Sequence, residues 1–181
     1  TIDRKTYYNY PRAYKMIDEL QPQAVIFSDG GPGCRWVGNE KGFAGATNWS
    51  FLRAGEVYPG YPNYRELQYG HADGNQWVAA ECDVSIRPGW FYHPEEDGRV
   101  KTVDELTDLY YRSVGHNATL LLNFPVDRDG LIHPTDSANA VNFHKNIQKQ
   151  LEKNLLAGLS PKASDERGKA FSAKAVTDND Y

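Results

Sequence analysis

Sulfur is scarce in this chain: its 181 residues include only two cysteines, Cys34 and Cys82, and one methionine. Two thiols build no disulfide framework and match no zinc-ligand spacing. Long apolar runs are also missing. None approaches the roughly 20 residues that a membrane-spanning helix needs. There is no basic excess, because 20 Lys and Arg stand against 24 Asp and Glu, for a net charge of −4. The basic residues are scattered, so no cationic patch offers itself to nucleic acid or to an anionic membrane. No GxSxG is present, which removes the nucleophile elbow of an α/β-hydrolase. "SDGGPG" is rich in glycine, but no helix is expected after it, so it is a weak phosphate cradle. His71, His93, His116, His133 and His144 show no metal-binding pair at helical spacing. "DRDG" at Asp127 lacks the other ligands of a calcium loop. No signal peptide is visible. The chain opens at "TIDRKTYY" without Met, as expected of a mature product or an excised fragment.

Aromatic residues, by contrast, are plentiful at 13%, with 12 Tyr and 4 Trp, beside an apolar share of 40%. That composition supports a domain with a real core and leaves aromatic side chains over for a binding surface. "NWS" at Asn48 and "NAT" at Asn117 are glycosylation sequons, relevant only in a eukaryotic secretory pathway.

Pro11 opens a helical stretch, "PRAYKMIDEL". Its Ala13, Met16, Ile17 and Leu20 share one face and are expected to be buried. "QAVIFS" follows as a short apolar strand of the kind covered on both faces. Residues 30 to 75 carry no regular period and read as a long loop with short pieces of structure, which is usually functional. "QWVAAECDVSI" resumes as a strand from about Gln76. In "TVDELTDLYYRSVG", Thr102 and Glu105 form a capping box. Val103, Leu106, Leu109, Tyr110 and Val114 make the apolar stripe of this helix, and Gly115 is placed to end it. Ala118 to Phe124 is a second apolar strand, "VDRDG" a turn, and a long helix is expected from about Thr135 to Leu156. The remainder, residues 157 to 181, is polar and weakly patterned.

Alternating buried strands and helices predict an α/β domain with parallel strands, about three of them here. An open sheet could be built from these. A closed (β/α)8 barrel needs eight strands and roughly 250 residues, so in that case the chain is the C-terminal part of one. In either architecture, sites gather beyond the C-terminal ends of the strands. Asp29 falls there, at the end of "AVIFSD", with Arg35 and Trp36 close behind.

A pair of carboxyl groups flanking one bond is what glycoside hydrolysis requires. Glu56 and Glu66 sit in the long loop and Glu81 in the following strand. Glu66, in "YPNYRELQYG", has tyrosines on both sides. A carboxyl group in an aromatic loop is desolvated when substrate binds, which raises its pKa toward the working range. "SIRPGWFYH" is dense in sugar-binding residue types. Trp90, Phe91 and Tyr92 offer flat apolar faces, and Arg87 and His93 offer hydrogen bonds. The same residues also fit an aromatic cluster in the core around a salt-bridged arginine.

Three stretches, "VIFSDGGPGCRWVGNE", "AECDVSIRPGWFYH" and "YYRSVGHNATLLLNFPVDRDGLI", together resemble the α-L-fucosidases of glycoside hydrolase family twenty-nine. They are most similar to the branch acting on α-1,3/1,4-linked fucose. The resemblance covers roughly residues 23 to 155. It implies the C-terminal part of a (β/α)8-like catalytic domain over 1–156, a retaining double-displacement mechanism, and no metal or organic cofactor. The partner it implies is a fucosylated oligosaccharide or glycoconjugate, and the location it implies is secreted or periplasmic. The family's nucleophile pattern, of the type W-x-D-G, reads here as Phe27-Ser28-Asp29-Gly30, so Asp29 is the expected nucleophile, with the glycines clearing the face where fucose is attacked. Glu66 is the expected acid/base, with Glu81 and Glu56 as alternatives. Arg53, Trp90, Arg35, Trp36, Tyr92 and His93 are the expected sugar-binding residues. The family's N-terminal strands, with paired histidines and a Trp that grip fucose, have no counterpart in this chain. "AFSAKAVTDNDY" resembles the first strand of a galactose-binding-like β-sandwich, placed after a linker within 157–181. Two other functions stay open: a non-catalytic carbohydrate-binding protein on the same scaffold, and a glycosidase acting on a different sugar.

Overall fold

Burial begins with two neighbouring strands, β5 (Ala79–Ser85) and β6 (Ala118–Asn123), which pair in parallel along their length. The computed structural model describes residues 3–166, 168–169 and 172–177. Two short strands continue the sheet, β1 (Phe27–Ser28) and β2 (Cys34–Trp36). The order across the sheet is β1-β2-β5-β6, with all pairs parallel. The strands therefore lie side by side in chain order, with none of the reversal that marks a doubly wound sheet. A separate antiparallel pair, β3 (Phe51–Leu52) and β4 (Gln76–Trp77), closes the excursion between β2 and β5.

The sheet has one strand more than the sequence pattern predicts. β2 is only three residues long and carries Arg35 at its centre, so no apolar run announces it. It forms because Arg35 is buried among acceptors on one face while Cys34 and Trp36 turn to the other.

Register sorts the two faces. Arg35 lies opposite Ala80, and Trp36 opposite Glu81. One face thus carries Arg35, Ala80, Cys82 and Val84. The other carries Cys34, Trp36, Glu81 and Asp83, and joins Asn123 through its pairing with Ser85. The first face is the core side. Val84 and Ile86 cluster with Val100, Leu106 and Leu109, flanked by Leu120, Leu122, Phe124 and Phe143. Val37, Ala44, Ala80 and Cys82 form a second cluster beside it. Between β2 and β5, the loop folds back over a third, made of Leu52, Val57, Leu67 and Val78.

Four α-helices are described: α1 (Arg4–Tyr7), α2 (Tyr10–Leu20), α3 (Val103–Ser113) and α4 (Pro134–Leu151). The capping box of α3 is complete. Thr102 Oγ1 accepts from the Glu105 N–H, and the Glu105 carboxylate accepts from the Thr102 N–H. Leu106 and Leu109 are buried as expected, whereas Val114 is exposed. Gly115 does not end the helix. A 3-10 turn, Val114–His116, continues it, and Asn117 in the left-handed region is the stop. α2 departs further from expectation. Met16, Ile17 and Leu20 are exposed, and no residue of the helix is buried. Its apolar face has the right spacing, but nothing among the described residues covers it.

The chain divides into two compact units, Thr1–Phe143 and His144–Tyr181. The second holds the end of α4 and a 3-10 turn, Ala173–Thr177. That turn occupies the stretch expected to begin a β-sandwich. Residues 170, 171 and 178–181 of the same stretch lie outside the described residues. No described helix is long and apolar enough to cross a membrane.

Candidate active site

Asp29 follows β1 directly and is half-buried. Its Oδ2 accepts the backbone N–H of Gly60 at 2.6 Å and that of Tyr61 at 3.3 Å. Gly30 explains how the loop comes so close. A Cβ there would stand 2.8 Å from the Val57 carbonyl oxygen, so only glycine admits the 57–61 backbone. At Gly31, with φ +80°, a Cβ would meet Val78 at 2.7 Å. These glycines make room for the protein's own loop, a role the sequence did not announce.

Tyr61 links the two carboxylates expected to form the catalytic pair. Its N–H reaches Asp29, and its hydroxyl donates to Glu66 Oε2 at 3.2 Å. Glu66 lies in a 3-10 turn, Tyr64–Gln68, and the same oxygen stands 3.5 Å from His71 Nε2. Glu56 is held by Arg53 at 3.2 Å, and Arg53 also pairs with Asp73 at 3.2 Å. Arg53 and Glu56 are therefore committed to one exposed ion network.

Arg35 is a correction to the sugar-binding role expected of it. Its side chain is fully buried on the core face of β2, with 0% exposure. Nε donates to Leu67 O, Nη1 to Val78 O, and Nη2 to Asn48 Oδ1 and Trp49 O. Burial lowers its pKa to about 10, yet it stays a cation at neutral pH. It pins the long loop to the sheet and cannot touch a sugar. Arg87 is likewise internal. It makes paired bonds to Asp136 at 2.8 and 2.9 Å, a third contact to Asp97 at 2.9 Å, and lies under the Tyr92 ring. The salt-bridged alternative is therefore the right one for Arg87. His93 is exposed and leads into a 3-10 turn, Pro94–Arg99.

The opposite face of the sheet gathers polar chemistry at the strand ends. The Trp36 indole donates to Asp83 Oδ1 at 2.8 Å. The Trp90 indole donates to Glu40 Oε2 at 2.9 Å. Asn123, the last residue of β6, donates to the Trp90 carbonyl and to Ser85 Oγ, which fixes the Trp90 backbone. Asp83 has its pKa raised, first by burial and then by repulsion from Glu40, while the Trp36 bond opposes the rise. Glu81, in the middle of β5, sits 3.5 Å from Cys34 Sγ, and its Oε1 is buried without a hydrogen bond among the described residues. Trp36, Glu81 and Asp83 thus share one face of the parallel sheet, and Glu40 and Trp90 lie in the loops that leave the C-terminal ends of β2 and β5, with Glu40 near enough to Asp83 to repel its charge.

Glu40 and Asp83 are the site residues that sequence reasoning passes over. A signal exists for Glu40. It lies four residues beyond Trp36, in the loop that leaves the end of a strand, but the signal is legible only once β2 is known to be a strand. Among the described residues, no group of three or more His, Cys, Asp or Glu is placed to hold a metal ion.

Carboxylates beside tryptophan rings, at the edge where parallel-sheet enzymes bind ligands, are the parts used by glycoside hydrolases. No protein-family model matches the chain. It is 41% identical over 166 residues to alpha-L-fucosidase 1 of Arabidopsis thaliana, which covers 89% of this chain and 31% of that protein. It is 42% identical over 163 residues to a rice protein described as a putative alpha-L-fucosidase 1, again 31% of that protein's length. The fold is similar to a crystal structure described as a putative alpha-L-fucosidase from Bacteroides thetaiotaomicron, with TM-score 0.82 and 45% identity, over 95% of this chain and 38% of that one. It is also similar to a glycoside hydrolase 29 family member from an unknown rumen bacterium, with TM-score 0.81 and 46% identity, over 92% and 30% of the two chains. The chain is a relative of the family 29 α-L-fucosidases and spans about a third of the length of the relatives it matches.

Proposed function

We propose that this chain is part of a retaining exo-α-L-fucosidase that releases terminal α-1,3/1,4-linked fucose from fucosylated glycans. The observation that carries the reading is the strand-end face of Glu40, Trp90, Trp36 and Asp83, in a chain related to α-L-fucosidases along most of its length. The four parallel strands in chain order fit an arc of a (β/α)8 barrel, with the polar face turned inward. The exposed Phe27 and Leu121 on that same face fit contact with the rest of such a barrel. A secreted or periplasmic location follows from the substrate class.

On the sequence argument, Asp29 attacks C1 of fucose while Glu66 protonates the glycosidic oxygen. Glu66 then activates the water that hydrolyses the fucosyl-enzyme. Support for the pair is their common tie to Tyr61. Two contacts favour a second assignment. Asp29 and Gly30 are engaged in seating the 57–61 loop, whereas Glu40 stands at the strand-end edge beside Trp90. In that assignment Glu40 is the acid/base, and the attacking carboxylate comes from a segment outside this chain.

The test uses a full-length protein containing this chain, an aryl α-L-fucoside, and the variants Asp29→Ala, Glu66→Gln and Glu40→Gln. A nucleophile variant loses turnover and is rescued by azide as the product of inverted configuration. The acid/base variant keeps activity on activated leaving groups and is rescued by azide with retention. Cleavage of another aryl glycoside in place of the fucoside would change the sugar. Fucose binding without cleavage of any glycoside would leave a binding protein.

A further inference from the structure

Hydrogen bonds tie the end of β6 to the loop that leaves β2. Asn123 is the last residue of β6, and its Nδ2 donates to the Trp90 carbonyl and to Ser85 Oγ, each at 3.1 Å. The Trp90 carbonyl can only accept, so the amide nitrogen has to face it, and both N–H groups of that nitrogen are spent. The Trp90 indole N–H donates in turn to Glu40 Oε2 at 2.9 Å. Asn123, Trp90 and Glu40 come from three separate parts of the chain and form one line, from strand to loop to loop.

Glu40 is fixed at its backbone and held by one oxygen. Beside it, Asn39 Oδ1 accepts the Lys41 N–H at 2.9 Å and Asn39 Nδ2 donates to the Phe43 carbonyl at 3.1 Å, which closes the 39–43 turn. Gly38, with φ +75°, enters the turn where a Cβ would run into the Tyr64 carbonyl. Glu40 itself is exposed, and among the described residues its carboxylate takes one hydrogen bond, the one from Trp90. An indole N–H is a donor only, so it faces the oxygen that accepts. A carboxyl group held this way keeps Oε2 as its acceptor, and its proton sits on Oε1.

We propose that Trp90 and Asn123 are positioning residues for the acid/base step: the indole reserves Oε2 of Glu40, so that Oε1 moves the proton, and Asn123 sets where the indole stands. The inference rests on the assignment of Glu40 as the acid/base and adds to it the atom that works and the residues that aim it. In the first step the Oε1–H bond breaks and its proton passes to the glycosidic oxygen. The C1–O bond cleaves with its electron pair going to that oxygen, and the attacking carboxylate bonds C1. Glu40 is then an anion, and the bond from the indole strengthens, because a hydrogen bond to an ionised acceptor is about twice as strong as one between neutral groups. That gain appears only as the proton leaves, so it speeds the chemical step and adds nothing to ground-state binding. In the second step Oε1 takes a proton from water, the water oxygen bonds C1, and the attacking carboxylate departs with the electron pair of its own bond.

The experiment compares phenyl and 4-nitrophenyl α-L-fucoside in the full-length protein. The two are close in size, but phenolate is the poorer leaving group and needs the proton more. The quantity read is kcat/KM for the phenyl substrate divided by kcat/KM for the 4-nitrophenyl substrate. Glu40→Gln is expected to lower it about a hundredfold, the scale of general acid catalysis. Trp90→Phe keeps an aromatic ring, loses the N–H, and should lower it about tenfold, as for one hydrogen bond to a charged group. Asn123→Ala should lower it about threefold, because the indole is displaced and not removed. Asn123→Asp keeps a partner for the Ser85 hydroxyl but loses the donor to the Trp90 carbonyl, and it should show the same fall if the alanine variant does not fold. A defect in folding or in fucose binding lowers both rates alike and leaves the ratio where it was. If the ratio falls in Glu40→Gln and holds in Trp90→Phe, the positioning role is overturned while the acid/base assignment stands. A fall in Trp90→Phe with none in either Asn123 variant removes Asn123 from the role. If Glu40→Gln itself leaves the ratio unchanged, Glu40 is not the acid, and that assignment fails together with the inference.

Discussion

Arg87 and Asp136, both fully buried and 49 residues apart in the chain, meet through two parallel N–H···O bonds of 2.8 and 2.9 Å. The pair joins the end of β5 to the first turn of α4. Asp97 adds a third contact to the same guanidinium, and His133 lies 3.5 Å from the other Asp97 oxygen. The same cation donates to the His93 carbonyl and lies under the Tyr92 ring, so it anchors part of the loop that follows β5.

Removing Asp136 leaves the buried Arg87 guanidinium with the part-exposed Asp97 as its one remaining carboxylate contact among the described residues. Asp136→Ala is therefore expected to cost about 3–5 kcal/mol, more than the loss of one average core methylene group. Urea unfolding of the two proteins checks this through a lower midpoint with an unchanged slope. A double Arg87→Met, Asp136→Leu variant should recover much of the loss, because it removes the desolvated charge as well as its partner.

Asp83 makes a prediction of the opposite sign. Burial and the nearby Glu40 raise its pKa in the folded protein above the value in the unfolded chain. The group therefore favours the native state at pH below the unfolded carboxylate pKa, and that contribution is lost as pH rises through the folded value. At neutral pH the charged Asp83 is a liability. Asp83→Asn keeps an acceptor for the Trp36 indole and removes the charge. Its melting temperature should exceed the parent's at pH 7 and converge with it near pH 4.

The two thiols should be inert in the native protein. Burial and Glu81 raise Cys34 to about 11, and burial raises Cys82 to about 12, so almost no thiolate exists at pH 8. Alkylation by iodoacetamide at pH 8 is expected to be slow in buffer and to go to completion at both positions in denaturant. Mass spectrometry of timed samples distinguishes them, and fast labelling of Cys34 in buffer would contradict the assignment.

Asn48 should carry no glycan in folded protein from a eukaryotic secretory host. Its Oδ1 accepts from Arg35 at 2.6 Å, and its Nδ2 donates to the carbonyls of His116 and Asn117 at 3.0 and 2.8 Å. A glycosylated Nδ2 loses a donor and adds bulk where the loop meets the β6 entry. Peptide mapping of the secreted, folded fraction should find Asn48 unmodified.

Local features were legible in the amino acids because they depend on neighbours in the chain. Thr102 and Glu105 are three residues apart, and the capping box they announce is fully formed. The apolar run from Ala118 is a strand, and the spacing of Leu106 and Leu109 places both in the core. Sequence likeness also carried the resemblance to the fucosidases, since long stretches of matching residues need no coordinates. What the tertiary structure alone decided is which face each side chain occupies and what it meets there. A three-residue strand with an arginine at its centre has no period to read, so β2 was invisible, and with it the separation of buried Arg35 from Trp36 on the polar face. Glu40 and Trp90 are fifty residues apart, Asp29 and Gly60 thirty-one, and Arg87 and Asp136 forty-nine. A residue's chemistry is local and written in its side chain. Its partner is set by how the strands lie side by side, and that order emerges only when the sheet has formed and its core face is buried.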